Sequence, residues 1–273
     1  MTTATGPSAP ATGRRAPGFA AALRSEWSKF WALPSNRTIL GVAVVLTLGI
    51  TLLMAVFGDT AAMAREQEDG RYSVIFFGST LGVWVLAALA ANVVASEHRN
   101  GTVALTLAAT PRRGRVLAAK LVVVAVLALG CGLVVSLANF ALTQAALAAA
   151  GEATVRLSDP GMLRAVLLYI PVSAFSQALL AACAAVVLRS APGAFGLVVL
   201  LSTLPVVGAR FFGSWWSENV PRHMVGAASE SVAGMAVPGT EGFLPTLPAL
   251  LVIAVWTAVS VAVAAAAFTR RDA

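Results

Sequence analysis

Six long apolar stretches without a charged residue constrain the fold of this chain more than any other feature. They run over Thr38–Phe57, Val74–Ala95, Leu121–Leu142, Ala165–Leu188, Ala194–Ala209 and Ala249–Phe268. About 20 apolar residues in a helix span the hydrocarbon core of a bilayer. Only 11% of the residues are charged, against roughly 25% in soluble domains. Lipid cannot satisfy backbone hydrogen bonds, and the alternating pattern of a membrane barrel is missing. The stretches therefore predict an all-α polytopic membrane protein with six transmembrane helices.

The residues before the first stretch divide into a tail and a short amphipathic helix. Residues 1–18 are rich in Thr, Ala, Pro and Gly and are predicted to be disordered. Residues 19–37 are predicted to form an interfacial elbow helix, which leads into a six-helix transmembrane domain, residues 38–273. The side chains that share its apolar and aromatic face are Phe19, Leu23, Trp27, Phe30 and Trp31. Two roles remain open for this helix, an element that tilts during a functional cycle and a passive anchor.

The positive charges give the chain an orientation. With the N-terminus in the cytoplasm, the cytoplasmic segments hold Arg14, Arg15, Arg24, Lys29, Arg37, Arg99, Arg112, Arg113, Arg115, Lys120, Arg189, Arg270 and Arg271. The outer segments then hold Arg65, Arg71, Arg156, Arg164, Arg210 and Arg222. Cytoplasmic loops carry the excess of Lys and Arg. The sequence therefore predicts a multi-pass protein of the plasma membrane with both termini in the cytoplasm.

Uncharged polar side chains inside the spans leave two interpretations open. They include Thr47, Thr51, Ser79, Thr80, Ser136, Asn139, Ser173, Gln177 and Ser202. Such residues line a weakly polar pathway or, more commonly, form hydrogen bonds between helices. Gly78 and Gly82 also form a Gly-x-x-x-Gly pattern, which permits a close approach of two helices.

The longest internal segment outside the spans, Phe211–Pro248, is predicted to lie on the outer side. Trp215 and Trp216 suit the membrane interface, where amphipathic rings are enriched. Arg222–Met235 is predicted to form a short surface helix after Pro221. A gating element and a packed cap are both compatible with this segment.

Several kinds of chemistry lack a motif in this sequence. The dipeptide Gly-Lys does not occur, so no phosphate-binding loop is present and ATP hydrolysis by this chain is not expected. There is no His-Glu-x-x-His motif and no ionisable pair within the spans. The chain is therefore predicted not to be an enzyme.

The segment Ser96–Lys120, between the second and third spans, is the most polar internal stretch. Gly101 interrupts the chain, Thr102 is placed to cap a short helix, and Pro111 ends it. Basic residues at this position commonly anchor a protein to anionic lipid. Lipid anchoring explains the arginines, but it does not explain Glu97 or the punctuation by Gly101 and Pro111.

This pattern resembles the first cytoplasmic loop of type-2 ABC exporter permeases. The residues that fit are Glu97, Arg99, Gly101, Thr102, Leu107, Pro111, Arg113 and Lys120, with Arg112 in the same basic cluster. Leu23–Thr38 is similar to the segment that precedes the first span in that family, and the number of spans and the predicted termini agree as well. The resemblance implies a coupling helix that docks into a separate ATP-binding subunit.

The resemblance also implies a function and a set of partners. The chain is expected to be the membrane-spanning permease subunit of an ABC exporter, paired with a second permease copy and surrounded by lipid. ATP and Mg would bind the partner subunit, with no cofactor on this chain and no nucleic-acid partner. The uncharged spans favour an apolar or amphipathic substrate. The alternative is a non-transporting scaffold or sensor that recruits a cytoplasmic partner through the same loop.

Overall fold

The structure, a computed structural model, describes residues 18–70, 72, 75–99, 113–240 and 242–271. The described residues form ten α-helices. Their bounds are α1 Phe19–Ala32, α2 Pro34–Phe57, α3 Thr60–Glu68, α4 Ser79–Arg99, α5 Arg113–Ala149, α6 Pro160–Leu188, α7 Ala191–Gly208, α8 Gly213–Asn219, α9 Val225–Ala233 and α10 Thr246–Arg271. A 3-10 turn, Pro221–His223, connects α8 to α9.

Six of these helices are long and apolar enough to cross a membrane: α2, α4, α5, α6, α7 and α10. Each contains most of one predicted span, so the all-α polytopic fold is confirmed. The helix ends differ from the predicted ends. Pro34 begins α2, where its missing N–H is no loss. Helix α5 extends beyond Leu121–Leu142 at both ends because alanine, leucine and other strong helix formers flank that span.

Helix α6 lies at the centre of the bundle. It contacts α4, α5, α7, α9 and α10. In its most apolar region 78% of the residues are buried, against 17% in α2 and in α10. Many of its buried positions are alanines: Ala165, Ala174, Ala178, Ala181, Ala182 and Ala185. Small side chains let helix backbones approach closely, which is how helices gain packing contacts in lipid. The outer helices keep apolar faces free, as helices that face lipid do.

The Gly-x-x-x-Gly pattern lies where α4 crosses α2. A Cβ atom on Gly82 would overlap Oγ1 of Thr47, and one on Gly78 would lie 2.8 Å from the Thr47 carbonyl oxygen. The Thr47 hydroxyl donates to the Ala43 carbonyl oxygen at 2.8 Å. This β-branched side chain is therefore held against its own helix and cannot swing away easily. The close approach predicted from the glycines is confirmed, and α2 is the partner.

Hydrogen bonds connect α5 to the neighbouring spans α6 and α2. The Ser136 hydroxyl donates to the Val166 carbonyl oxygen of α6 at 2.6 Å. The Thr51 hydroxyl of α2 lies 2.9 Å from Oδ1 of Asn139. All of these side chains are buried. These polar residues of the spans therefore serve helix association, one of the two predicted uses.

Successive spans run in opposite directions, so the bundle has two distinct ends. The loop end is where α4 finishes and α5 begins, and α1 packs there against α5. The distal end carries α3, α8 and α9. There the Gln144 amide of α5 donates to Oε1 of Gln67 at 2.8 Å, which ties α3 to the extended last turns of α5.

Candidate functional site

A partly open cavity of about 380 Å³, lined by both polar and apolar residues, lies towards the distal end of the bundle. Helices α4, α6 and α7 form its walls, while the 3-10 turn and α9 lie over it. Ligand cavities for drug-sized molecules begin at about 300 Å³. The cavity is therefore large enough for a small organic molecule and is the candidate site.

Polar residues of three spans meet in this cavity. Those that line it are Ser79, Thr80, Ser173, Gln177 and Ser202. They come from α4, α6 and α7, which are separate in sequence and adjacent only in the fold. The uncharged polar residues of the spans thus fall into two groups: these line a cavity, whereas Ser136 and Asn139 connect helices. A pathway through the spans stays a prediction.

Glu230 brings a carboxylate to the cavity from α9. Glu230 lines the cavity and remains exposed to solvent. Burial raises the pKa of Glu230 above its ordinary value, because the protein replaces part of the water that would solvate the charge. Tyr169 of α6 also lines the cavity, close enough to interact with both Ser79 and Glu230.

Two polar atoms in the cavity wall have no hydrogen-bond partner among the described residues. They are Oε1 of Gln177 and Nε1 of Trp84. Gln177 is only 8% exposed, so bulk water does not solvate it freely. A buried polar atom left without a partner costs about 1–3 kcal/mol. Both residues line the cavity, and the two atoms themselves are shielded from solvent, so they lie within its wall as an acceptor and a donor without partners.

Helix α9 is held over the cavity by Arg164 at the start of α6. The Nε atom of Arg164 donates to the Val232 carbonyl oxygen at 2.9 Å, and Nη2 lies 3.3 Å from the Ser231 carbonyl oxygen. The same Nη2 donates to Oγ1 of Thr246 at 2.8 Å. A guanidinium group is suited to the last carbonyls of a helix, which carry partial negative charge. One side chain therefore joins α6, α9 and α10.

The segment predicted as a surface helix, Arg222–Met235, contains α9. Its residues Ala228, Ser229 and Val232 are buried, so the helix is a packed cap. Trp215 is 71% exposed, as a membrane anchor would be. Trp216 instead donates from Nε1 to the Pro205 carbonyl oxygen of α7 at 3.1 Å.

The predicted coupling residues lie at the loop end. Glu97 and Arg99 belong to the last turn of α4, and Arg113 is the first residue of α5. Those that lie outside the described residues are Gly101, Thr102, Leu107, Pro111 and Arg112. The two helices that leave the loop are therefore defined, and the coupling roles stay a prediction.

Lys120, the last residue of the loop pattern, forms a buried ion pair with Glu26 of α1. Nζ of Lys120 lies 2.6 Å from Oε2 of Glu26, and both side chains are less than a tenth exposed. The other carboxylate oxygen of Glu26 lies 2.6 Å from Nζ of Lys29. The ion pair therefore fixes α1 to the second turn of α5.

The elbow residues divide between two faces of α1. Phe30 is buried and Leu23 packs against the same core, whereas Trp27 and Trp31 are 41% and 38% exposed. The face towards the protein therefore includes Glu26 between Leu23 and Phe30. The exposed tryptophan rings suit a membrane interface.

Sequence reasoning missed Glu26 and Glu230. Glu26 lies one helical turn before Phe30 on the same face, a spacing that was available in the sequence. Glu230 is an acid within the apolar stretch Val225–Val237. An isolated acid in such a stretch could have indicated a functional residue. Its place in a cavity, however, follows only from the packing of α9.

These features define a class: a multi-pass α-helical membrane protein with a cavity of mixed polar and apolar lining between its spans and a helix that covers it. Comparison with models of known protein families gives no match, and comparison with curated proteins gives none either.

Proposed function

We propose that the chain is the membrane-spanning permease subunit of an ABC exporter. It moves an apolar or amphipathic substrate across the plasma membrane, with ATP hydrolysed on a separate subunit. Two features support the proposal: the pattern of the loop between α4 and α5, and the position of the cavity relative to that loop.

The proposal rests mainly on helix α4, which connects the cavity to the polar loop. Its first turns, at Ser79, Thr80 and Trp84, line the cavity, and its last turn contains Glu97 and Arg99 of the loop pattern. The helix is continuous over 21 residues, or about 30 Å. A displacement of the loop by a partner protein would move α4 as a rigid body and change the cavity at the other end. Energy supplied in the cytoplasm would thereby reach a site that could hold a substrate.

The proposal includes the assembly and its placement. The loop binds an ATP-binding subunit that carries ATP and Mg, and a second permease copy completes the transporter in the lipid bilayer. Both termini face the cytoplasm in this proposal, which the distribution of Lys and Arg favours. The loop end of the bundle is then cytoplasmic and the cavity opens towards the outside.

Co-purification tests the docking role of the loop. The tagged chain, isolated from its native membrane in mild detergent, is expected to bring down a stoichiometric ATP-binding subunit. Glu97→Lys should remove that subunit because it reverses a charge in the docking surface. Glu68→Lys is the matched control, since Glu68 is an exposed acid at the distal end and should not affect association.

Nucleotide separates the exporter from a scaffold or sensor. For an exporter, ATP hydrolysis by the complex should depend on the permease and should fall with Glu97→Lys. A partner that binds the loop without ATPase activity would support the scaffold. A correctly inserted chain without any ATP-binding partner would contradict the exporter.

A further inference from the structure

We propose that the distal cavity binds an amphipathic organic cation, with its positive group facing the Glu230 carboxylate. The inference rests on the proposed function for its claim that this ligand is the transported substrate. Binding to the cavity itself is independent of that function.

The charge of the cavity favours a cationic ligand. Among the described residues that line it, Glu230 is the one with a formal charge, and no described Lys or Arg forms an ion pair with it. Arg164 donates to the carbonyl groups of Ser231 and Val232, and Arg222 donates to Oδ1 of Asn219 at 2.6 Å. Each of these two guanidinium groups thus has a hydrogen-bond partner other than Glu230. A carboxylate in a partly enclosed cavity attracts a cation more strongly than one in open water.

Two polar atoms without hydrogen-bond partners also favour a polar ligand. Oε1 of Gln177 needs a donor, and Nε1 of Trp84 needs an acceptor. A protonated amine supplies N–H donors, which suit an amide oxygen as well as the Glu230 carboxylate. A hydroxyl, ether or carbonyl group elsewhere on the ligand would satisfy Trp84. The missing partners therefore point to a polar ligand that is cationic at one end.

The cavity is too large, and its walls are too apolar, for a bare metal ion to be the ligand that fits best. The volume of about 380 Å³ is far larger than one ion requires. Val83, Val206 and Met224 line part of the wall and would contact a hydrocarbon body. The rings of Trp84 and Tyr169 add faces that attract organic cations. The cavity thus fits a molecule with one positive group and an apolar remainder.

Calorimetric titration with a matched pair of probes tests the inference. The purified chain is placed in nanodiscs of phosphatidylcholine, a lipid without net charge, and is titrated near neutral pH with 4-phenylbutylamine and with 4-phenylbutanol. The two probes share their hydrocarbon body, and only the amine is charged. The amine should bind at least about tenfold more tightly than the alcohol, a difference that one partly desolvated charge contact readily supplies.

Variants locate the contact. Glu230→Gln should reduce amine binding by about tenfold or more and change alcohol binding far less, because the alcohol carries no charge for the carboxylate to attract. Gln177→Leu should weaken the amine as well. Glu218→Gln is the matched control, because Glu218 is an exposed acid of α8. Thermal unfolding of each variant shows whether it is folded.

Equal affinity for the two probes, or an amine affinity that a folded Glu230→Gln protein retains, would overturn the inference. That result would leave the exporter proposal in place if the ATP-binding subunit still co-purifies. Amine binding without such a partner would instead support the cavity and contradict the exporter.

Discussion

Glu26 and Lys120 form a buried ion pair at 2.6 Å between the first helix of the chain and the helix that leaves the polar loop. They are 94 residues apart in sequence. Because α5 begins at Arg113, a movement of the loop would reach α1 through this contact. The elbow helix is therefore attached to the element proposed to receive the ATP-driven displacement.

Breaking this ion pair should destabilise the protein. Lys120→Met leaves the Glu26 carboxylate buried beside one partly exposed partner, Lys29, and should cost about 3 kcal/mol. Lys29→Met should cost about 1 kcal/mol or less, since the Lys29 side chain is 40% exposed. Thermal unfolding in detergent measures both. Equal losses in the two variants would show that the buried pair is not the main attachment of α1.

A double variant refines this prediction. Glu26→Gln combined with Lys120→Met removes both charges and should recover much of the stability lost in Lys120→Met alone. A double variant as unstable as the sum of the two single changes would contradict the coupling of the two side chains.

Gly82→Ala should destabilise the crossing of α2 and α4. The added methyl group would overlap Oγ1 of Thr47, and relieving such overpacking typically costs about 1–3 kcal/mol. Gly130→Ala is the control, because a Cβ atom there meets nothing within 4 Å. Thr47→Ala in the Gly82→Ala background should restore part of the unfolding temperature. No loss in Gly82→Ala would mean that the two helices are less closely packed than described.

Arg164→Ala should loosen α9. Three hydrogen bonds from the Arg164 guanidinium group to Val232, Ser231 and Thr246 would be lost. Amide hydrogen exchange should rise across residues 225–233 and stay unchanged in α5. Arg210→Ala, which alters an exposed arginine, serves as the control. Unchanged exchange in α9 would show that its packing alone holds it in place.

Glu230→Gln should make the protein more stable near neutral pH. Because burial raises the pKa of Glu230 above its ordinary value of about 4.5, the folded state holds this proton more tightly than the unfolded state. The resulting stability is complete below the ordinary pKa and is lost as pH rises through the raised pKa. Tyr169 of α6 is the titratable group that faces Glu230 among the described residues, and it stays neutral over this range.

The unfolding temperature of wild type and Glu230→Gln, measured near pH 7.5 and near pH 4, checks this sign. The variant should unfold at a higher temperature than wild type near pH 7.5, and the difference should shrink near pH 4. A variant that is less stable near pH 7.5 would indicate a favourable partner for the charged carboxylate.

The sequence anticipated the fold better than the site. Charge-free runs located all six long helices, because hydropathy over about 20 residues is a local property. The sequence also predicted the close approach of two helices at Gly82, because the side chain of glycine is a single hydrogen atom and leaves room for a neighbouring helix. The sequence could not distinguish Ser136 from Ser173, because both are serines within apolar spans. Ser136 forms a hydrogen bond between helices, whereas Ser173 lines the cavity.

The sequence by itself determined the class of protein, the number of spans, the predicted orientation and the pattern of the loop. The tertiary structure decided which polar residues meet, bringing Glu26 to Lys120 and Glu230 to the cavity of Gln177 and Trp84. The reason is physical: a run of apolar residues selects the bilayer whatever its neighbours are, whereas a contact between distant residues depends on how each helix is rotated and packed.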